Sequence, residues 1–232
     1  MRQHILRSAN IFFLLCGLMG CAADRIFTEP MFTVTVYEDS NRVVRLQTTE
    51  VANEGEGFSH PAYLTDEKVA MVLRGLYVKI EEASVLHSLI GGDSSTRQRA
   101  FSDKEIEFFA PLFVKGLRQA TPEEVVTFYE TAEISDLYEV TTSGGVFVHG
   151  DEFHVLLSNF RVKTPVWQDN EQYQAPVRMR PLEPIDPQPG RLLFDPPRLM
   201  VQPEDGMLRK AFLAVPWEVG VRWKELGHGQ TN

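Results

Sequence analysis

The residue types that could do chemistry cluster in one short run, His149–His154, which reads HGDEFH. A type II′ turn requires glycine at its first central position, so Gly150-Asp151 predicts a tight hairpin in which His149 faces Glu152. Strand side chains alternate between faces, which places His149, Glu152 and His154 together on one face. Two imidazoles and a carboxylate within cross-strand reach could form a small metal site or an acid–base cluster.

The same register gives the hairpin a second, apolar face. Val148 and Phe153 point away from the histidines and are expected to lie in the core. Because the sequence offers no identifiable fourth ligand, the favoured interpretation of the histidine face is a solvated polar surface. We therefore expect His149 and His154 to be exposed, with a metal bound by His149, Glu152 and His154 as the alternative.

Two further groups of residues are candidates for function. Asp136, Ser143 and a hairpin histidine supply the residue types of a hydrolytic triad, but no Gly-x-Ser-x-Gly elbow accompanies them, and Ser143-Gly144-Gly145 is favoured as a turn. Aromatic side chains in the last third of the chain suit partner binding by groove docking or strand addition. The residues in this aromatic set are Trp167, Tyr173, Trp217 and Trp223.

The start of the chain has the form of a secretory signal. Arg2 and Arg7 precede an apolar run from residue 11, and the run is too short for a permanent membrane span, which needs about 20 residues. It ends in Leu18-Met19-Gly20-Cys21, which resembles the lipobox of bacterial lipoproteins. The resemblance implies cleavage before Cys21 and attachment of diacylglycerol to its thiol. With Ala22 after the cysteine, it further implies a lipid anchor in the outer membrane, facing the periplasm.

Composition excludes several classes of function. The formal net charge is −9, and the leader holds two basic residues and no acid, so the mature chain would be more acidic still. An acidic surface repels phosphate backbones, which argues against nucleic-acid binding. Only Cys16 and Cys21 are present, so a mature domain with lipid on Cys21 could form no disulfide, thiolate zinc site or cysteine nucleophile. No cofactor is expected, and the membrane is reached through the acyl chains.

Strand patterns occupy both ends of the domain, and helix patterns lie between them. Alternation predicts a hairpin of residues 31–38 and 42–48, and later strands over residues 137–142, 146–149 and 153–162. A helix is predicted from Thr65, with Val69, Leu73, Leu76 and Ile80 on one face. A second helix is predicted from the Ser102/Glu105 capping box, with Pro111 kinking it or delaying its start. Thr121-Pro122 predicts a third.

The chain changes character near its C-terminus. Eight of the 14 prolines fall between Pro176 and Pro203, which is typical of extended, polyproline-like chain. The apolar runs Leu192–Phe194 and Leu199–Val201 within this stretch predict short edge strands and docking on the domain. The favoured interpretation is a strap packed on its own body, and the alternative is a surface for an external partner.

Together these patterns predict an α+β fold: an antiparallel sheet with two or three helices and a proline-rich extended C-terminal segment. The expected organisation is a signal peptide over residues 1–20, a tether over 21–30, a globular domain over 31–175 and the strap over 176–232. The favoured function is a non-enzymatic envelope lipoprotein in scaffolding, assembly or binding, with an envelope protein as a possible partner. An envelope hydrolase or metal-dependent enzyme using the hairpin histidines, and a small-ligand carrier, are the alternatives.

Overall fold

The computed structural model describes residues 31–49, 57–80, 96–166, 178–186, 188–201 and 217–227. Ten strands and two α-helices lie within these ranges, and every strand pairing is antiparallel, which confirms the predicted α+β fold built on an antiparallel sheet. The strands are β1 Phe32–Glu38, β2 Arg42–Thr48, β3 Leu76–Ile80, β4 Thr96–Arg99, β5 Glu124–Ser135, β6 Tyr138–His149, β7 Glu152–Pro165, β8 Gly190–Phe194, β9 Met200–Val201 and β10 Trp217–Arg222. The helices are α1 Asp66–Arg74 and α2 Asp103–Gln119.

The strands form two sheets. The larger has seven strands in the order β1-β2-β5-β6-β7-β10-β9, and the smaller has three in the order β4-β3-β8. After β2 the chain forms β3 and β4 of the small sheet and then returns to the large sheet for β5, β6 and β7. It crosses again to the small sheet for β8, and β9 and β10 then complete the large sheet, with β10 beside β7. A strand from the end of the described chain therefore lies inside the large sheet.

Both helices begin at the caps that the sequence predicts. The hydroxyl of Thr65 accepts the Lys68 backbone N–H at 3.3 Å, and Ser102 and Glu105 form a reciprocal capping box. Pro111 neither ends α2 nor delays its start: the helix runs from Asp103 to Gln119 with Pro111 inside it, at an exposed position. A single cluster of buried apolar side chains joins the helices to both sheets, including Val148, Phe153 and Val221.

Three predicted boundaries were wrong, and each correction has a physical cause. Leu76–Ile80 does not extend the first helix, because α1 ends at Gly75 and Leu76 begins β3, which is paired between β4 and β8. Thr121-Pro122 starts no helix in the described chain; Glu124 begins β5, whose β-branched residues pair with β2 and β6. The pairings of β2 with β5 and of β3 with β8 are distant in sequence, so local periodicity does not reveal them.

The third correction concerns Ser143-Gly144-Gly145, which is no turn and lies in the middle of the continuous strand β6. A bulge here leaves Ser143 opposite Asn159 and Gly144 opposite Leu157. A Cβ atom on Gly144 would overlap the carbonyl oxygen of Leu156 on β7. The glycine is needed for close approach of two backbones, and not for a change of chain direction.

Residues 178–186 and Gln188 cross the face of the large sheet that lies opposite the helices. Arg178 bonds the Ser40 carbonyl at 2.8 Å beside the β1–β2 turn, and the Pro181 carbonyl accepts the Ser143 hydroxyl at 2.8 Å on β6. Further along, Asn159 of β7 donates to the Glu183 carbonyl at 2.9 Å. Leu192, Phe194 and Val219 belong to the same core as Val148 and Phe153. Residues on both sides of the predicted boundary at 175 therefore contribute to one core.

Candidate functional site

The β6–β7 hairpin has the predicted register. His149 is opposite Glu152, Val148 is opposite Phe153, and Phe147 is opposite His154. Gly150 has a φ of 56°, the positive value that the first position of a type II′ turn requires. Val148 and Phe153 are buried in the core as expected.

The expectation of a solvated histidine face was wrong. His154 is only 2% exposed, and His149 is half-buried. The cause is a neighbour that local alternation cannot reveal, because β10 pairs with β7 and covers its edge. The His154 ring also stacks on Phe147, with centroids 4.6 Å apart and planes 9° apart.

Two glutamates face the two ring nitrogens of His154. Its Nδ1 lies 3.0 Å from Oε1 of Glu218 on β10, and its Nε2 lies 3.2 Å from Oε2 of Glu152 on β7. The Glu218 side chain is fully buried, and its Oε2 has no hydrogen-bond partner, whereas Glu152 is about one-third exposed. We call these three side chains the His154 cluster.

The backbone of β10 makes room for this cluster. Gly220 is paired with His154, and a Cβ there would lie 3.1 Å from the imidazole Cε1 and 3.4 Å from Glu152 Oε2. The first distance is tighter than ordinary contact and the second is at its lower limit, so a larger residue would press on the ring. Glycine at this position lets the imidazole stand between its two carboxylates.

The predicted metal ligands do not assemble as a group. Within the described ranges, no three His, Cys, Asp or Glu side chains are placed so that they could hold a metal ion. Each ring nitrogen of His154 faces a different carboxylate, so the acids flank the imidazole and do not converge with it on one point. Only the Nδ1 contact with Glu218 is a hydrogen bond; the Nε2 of His154 makes none within the described part of the chain, and Glu152 is near it at ion-pair distance.

A second histidine lies beside the same hairpin. His60 is buried, and its Nε2 accepts the Val148 backbone N–H at 3.0 Å. Burial lowers the pKa of His60 below its ordinary value, against a smaller opposing effect of the Glu124 backbone and carboxylate. The neutral ring serves as a backbone acceptor, because a protonated Nε2 could not accept this hydrogen bond.

The triad considered from sequence does not come together. Ser143 is fully buried, donates its hydroxyl to the Pro181 carbonyl and accepts the Asn159 side-chain amide at 2.8 Å. Asp136 is exposed at the β5–β6 turn, at the opposite end of β6 from His149. The Ser143 hydroxyl is used to hold the segment of residues 178–186 against the sheet at Pro181.

A carboxyl group with an altered pKa lies on the helix side of the molecule. Glu130 on β5 is 7% exposed and pairs with Arg42 of β2 at 2.7 Å. Burial raises the pKa of Glu130 to about 6, the negative charge of Glu105 adds to the rise, and Arg42 opposes it. Glu105 belongs to the capping box of α2, so this acidic pair joins the helix start to the sheet.

The four aromatic residues predicted to bind a partner differ in where they lie. Trp217 and Trp223 are partly buried against the core, and Trp217 packs near Phe160 with ring centroids 6.3 Å apart. Trp167 and Tyr173 lie outside the described residues, as does Cys21. None of the helices that the structure describes has the length and apolar character to cross a membrane.

Sequence reasoning missed Glu218, the most buried member of the His154 cluster. The available signal was an acid between the apolar residues Trp217 and Val219, on the same face as Gly220. That pattern marks a position for inspection, but it does not identify His154 as the partner, 64 residues away. No protein-family model, curated protein or solved structure matches this chain.

Proposed function

We propose that this chain is a lipid-anchored protein of the bacterial envelope with a non-enzymatic role in scaffolding, assembly or binding. The anchor rests on the lipobox-like Leu18–Cys21 behind a charged and apolar leader. Ala22 after the lipidated cysteine favours sorting of the lipoprotein to the outer membrane, with the domain facing the periplasm. The short spacing from Cys21 to β1 at Phe32 supports a domain held near the membrane surface.

The observation that carries the non-enzymatic role is that side chains of catalytic type make internal contacts. His60 accepts a backbone N–H, Ser143 is bonded on both sides, and His154 is stacked and flanked by two glutamates. These contacts fix the loop before α1 to β6, hold the crossing segment on the sheet and join β7 to β10. Such use favours a rigid body that presents surfaces to partners.

We also propose that the proline-rich stretch, residues 176–203, works as a docked strap. Support comes from Leu192 and Phe194, which are buried in β8, and from the contacts that Pro181 and Glu183 make across the sheet. Proline reduces the entropy lost when extended chain is fixed. Limited proteolysis tests the strap: Arg191 and Arg198 should be cut far more slowly in the folded protein than in a matching free peptide.

The anchor is tested by expression of the full-length chain in a Gram-negative host. Mass spectrometry should find acylated Cys21 as the first residue, and the protein should fractionate with the outer membrane. Cys21→Ser should abolish acylation and membrane attachment, whereas Cys16→Ser, the matched control within the leader, should leave both intact. An unmodified mature N-terminus at another residue would contradict the anchor.

A second candidate function follows from the His154 cluster. The buried Glu218 carboxylate orients the imidazole, and the partly exposed Glu152 lies 3.2 Å from the Nε2 of His154. An acid–base relay would require a hydrogen bond at this Nε2, which has no hydrogen-bond partner among the described residues, so Glu152 would have to turn toward it. Substitution of Glu152 by Gln would interrupt such a relay at its exposed end with little loss of packing. A hydrolytic activity of the purified protein that disappears with Glu152→Gln at unchanged melting temperature would favour the enzyme over the scaffold.

A further inference from the structure

The three central strands of the large sheet extend beyond their neighbours. The last pairing of β2 with β5 is Arg42–Glu130, and the pairing of β10 with β7 covers only residues 152–157. The β1–β2 turn reaches one residue further, because the Thr131 N–H donates to the Asn41 carbonyl at 2.9 Å. Beyond Thr131, residues 132–141 and 162–166 pair, within the described residues, with no strand but one another. They form an arm that stands about 14 Å past Thr131, at roughly 3.4 Å per residue to Ser135.

The tip of this arm exposes two large apolar side chains. Ile134 is 54% exposed and Leu137 is 56% exposed, although they lie only three positions apart. The register shift between Glu133 and Ser135 makes Ile134 the extra residue of a bulge, which is a device that redirects a side chain. Leu137 occupies the tight turn between Ser135 and Tyr138, where small or polar residues are usual.

Besides the exposed Ile134 and Leu137, the arm has a locally unfavourable pair of opposed acids. Glu133 is directly opposite Glu139 in the β5–β6 ladder, and like charges in opposed positions destabilise a strand pair. The tip carries the exposed acids Glu133 and Asp136 and no basic residue between them. Glu139 itself is buried and accepts the Thr131 hydroxyl at 3.0 Å, so it serves the interior of the arm. The exposed Ile134 and Leu137 break local rules together at one hairpin tip, which is expected where a surface serves contact.

The arm is at the far end of the sheet from the start of the domain. Thr48, which ends the first hairpin near Phe32, is paired with Glu124 at the beginning of β5, and the arm tip follows the other end of that strand. The length of β5 separates these ends by about 37 Å at roughly 3.4 Å per residue. The tether precedes Phe32, which is at the Glu124 end of β5. An anchor at Cys21 would therefore place the tip at the end of the domain away from the membrane.

From these observations we infer that the arm tip, Glu133–Leu137, is a docking site for a second envelope protein that presents an apolar pocket rimmed by Lys or Arg. The apolar part of the contact is Ile134 and Leu137, and the acids Glu133 and Asp136 match the basic rim. This inference rests on the proposed lipid anchor, which directs the tip toward the periplasm. It adds to that function the position of the binding surface and the chemistry of its partner.

The test uses full-length protein in cells, with a benzophenone amino acid at Ser135 in the tip. A second protein with the same probe at Tyr63, a 76% exposed residue outside the arm, is the matched control. Irradiation should give one discrete protein adduct from position 135 and not from position 63. The crosslinked peptide of the partner should lie next to Lys or Arg in its sequence.

Two double variants decide whether the contact has the stated chemistry. Ile134→Ser with Leu137→Ser, and separately Glu133→Lys with Asp136→Lys, should each reduce the adduct about tenfold or more, which corresponds to about 1.4 kcal/mol. Val34→Ser, at another exposed apolar residue, should leave it unchanged. Melting temperatures of the purified variants show that each is folded.

Several outcomes would overturn the docking site. These are the absence of an adduct, an adduct with a second copy of this chain, an adduct with lipid, or an adduct that survives charge reversal. The acylation state of Cys21, measured in the same cells, separates the two proposals. Acylated Cys21 without an adduct refutes only the docking site. Unmodified Cys21 refutes the anchor, whichever molecule is crosslinked at position 135.

Discussion

His154 and Glu218 form a buried contact between neighbouring strands, with 3.0 Å between the imidazole Nδ1 and the carboxylate Oε1. Neither side chain is more than 3% exposed. The pair connects β7 to β10 across 64 residues of sequence. A role in the integrity of the sheet follows, whatever further chemistry the cluster performs.

Removal of either member of this pair should destabilise the protein strongly. His154→Ala leaves the Glu218 carboxylate buried without its partner, and such losses cost about 3–5 kcal/mol. Glu218→Ala should cost a similar amount, and the double variant should cost less than the sum because the two side chains share one interaction. Urea unfolding measures all three, with the exposed turn residue Asp151→Ala as control. Additive single effects would contradict direct coupling.

The stability of the protein should decrease in mild acid because of His60. Its pKa in the folded protein is below the ordinary value of 6.5, so the unfolded chain takes up the proton first as pH falls. The stabilisation is complete above about pH 6.5 and is lost as pH falls through the folded pKa. His60→Gln, which offers an acceptor that does not titrate, should reduce this slope in urea unfolding between pH 5 and 7.5. An unchanged slope would refute the assignment.

The pH dependence of stability that Glu130 contributes should have the opposite sign. Its pKa is raised from 4.5 to about 6, so the folded protein holds the proton more tightly, and stability falls as pH rises between these values. The full shift corresponds to about 2 kcal/mol at 1.36 kcal/mol per unit. Glu130→Gln should remove this dependence. Glu133→Gln, an exposed acid on the same strand, is the matched control and should leave the wild-type pH profile in place.

Gly144→Ala should destabilise the protein by about 1–3 kcal/mol, the usual cost of overpacking a close-packed interior. The new methyl group would overlap the Leu156 carbonyl, so the two strands must separate at the bulge. Thermal unfolding provides the measurement, and Thr35→Ala at an exposed position on β1 is the reference. Wild-type stability in Gly144→Ala would show that the bulge can relax without cost.

Sequence reasoning worked where the determining contacts are local. The first hairpin, both helix starts and the register around Gly150 depend on turn and cap residues that are adjacent in the chain. It failed at Leu76–Ile80 and at Glu124 because strand partners far along the chain overrode a helical pattern. The same cause hid the burial of His154, since β10 covers β7 and supplies Glu218.

The position of β10 has a consequence for the synthesis of the chain. Because this strand pairs with β7, a ribosome must pass residue 217 before the edge of β7 can be covered. Until then, a nascent or truncated chain presents an unpaired strand edge, which is a template for aggregation. A chain that stops before β10 should therefore be insoluble or degraded, so that the last strand of the sheet distinguishes finished molecules from incomplete ones.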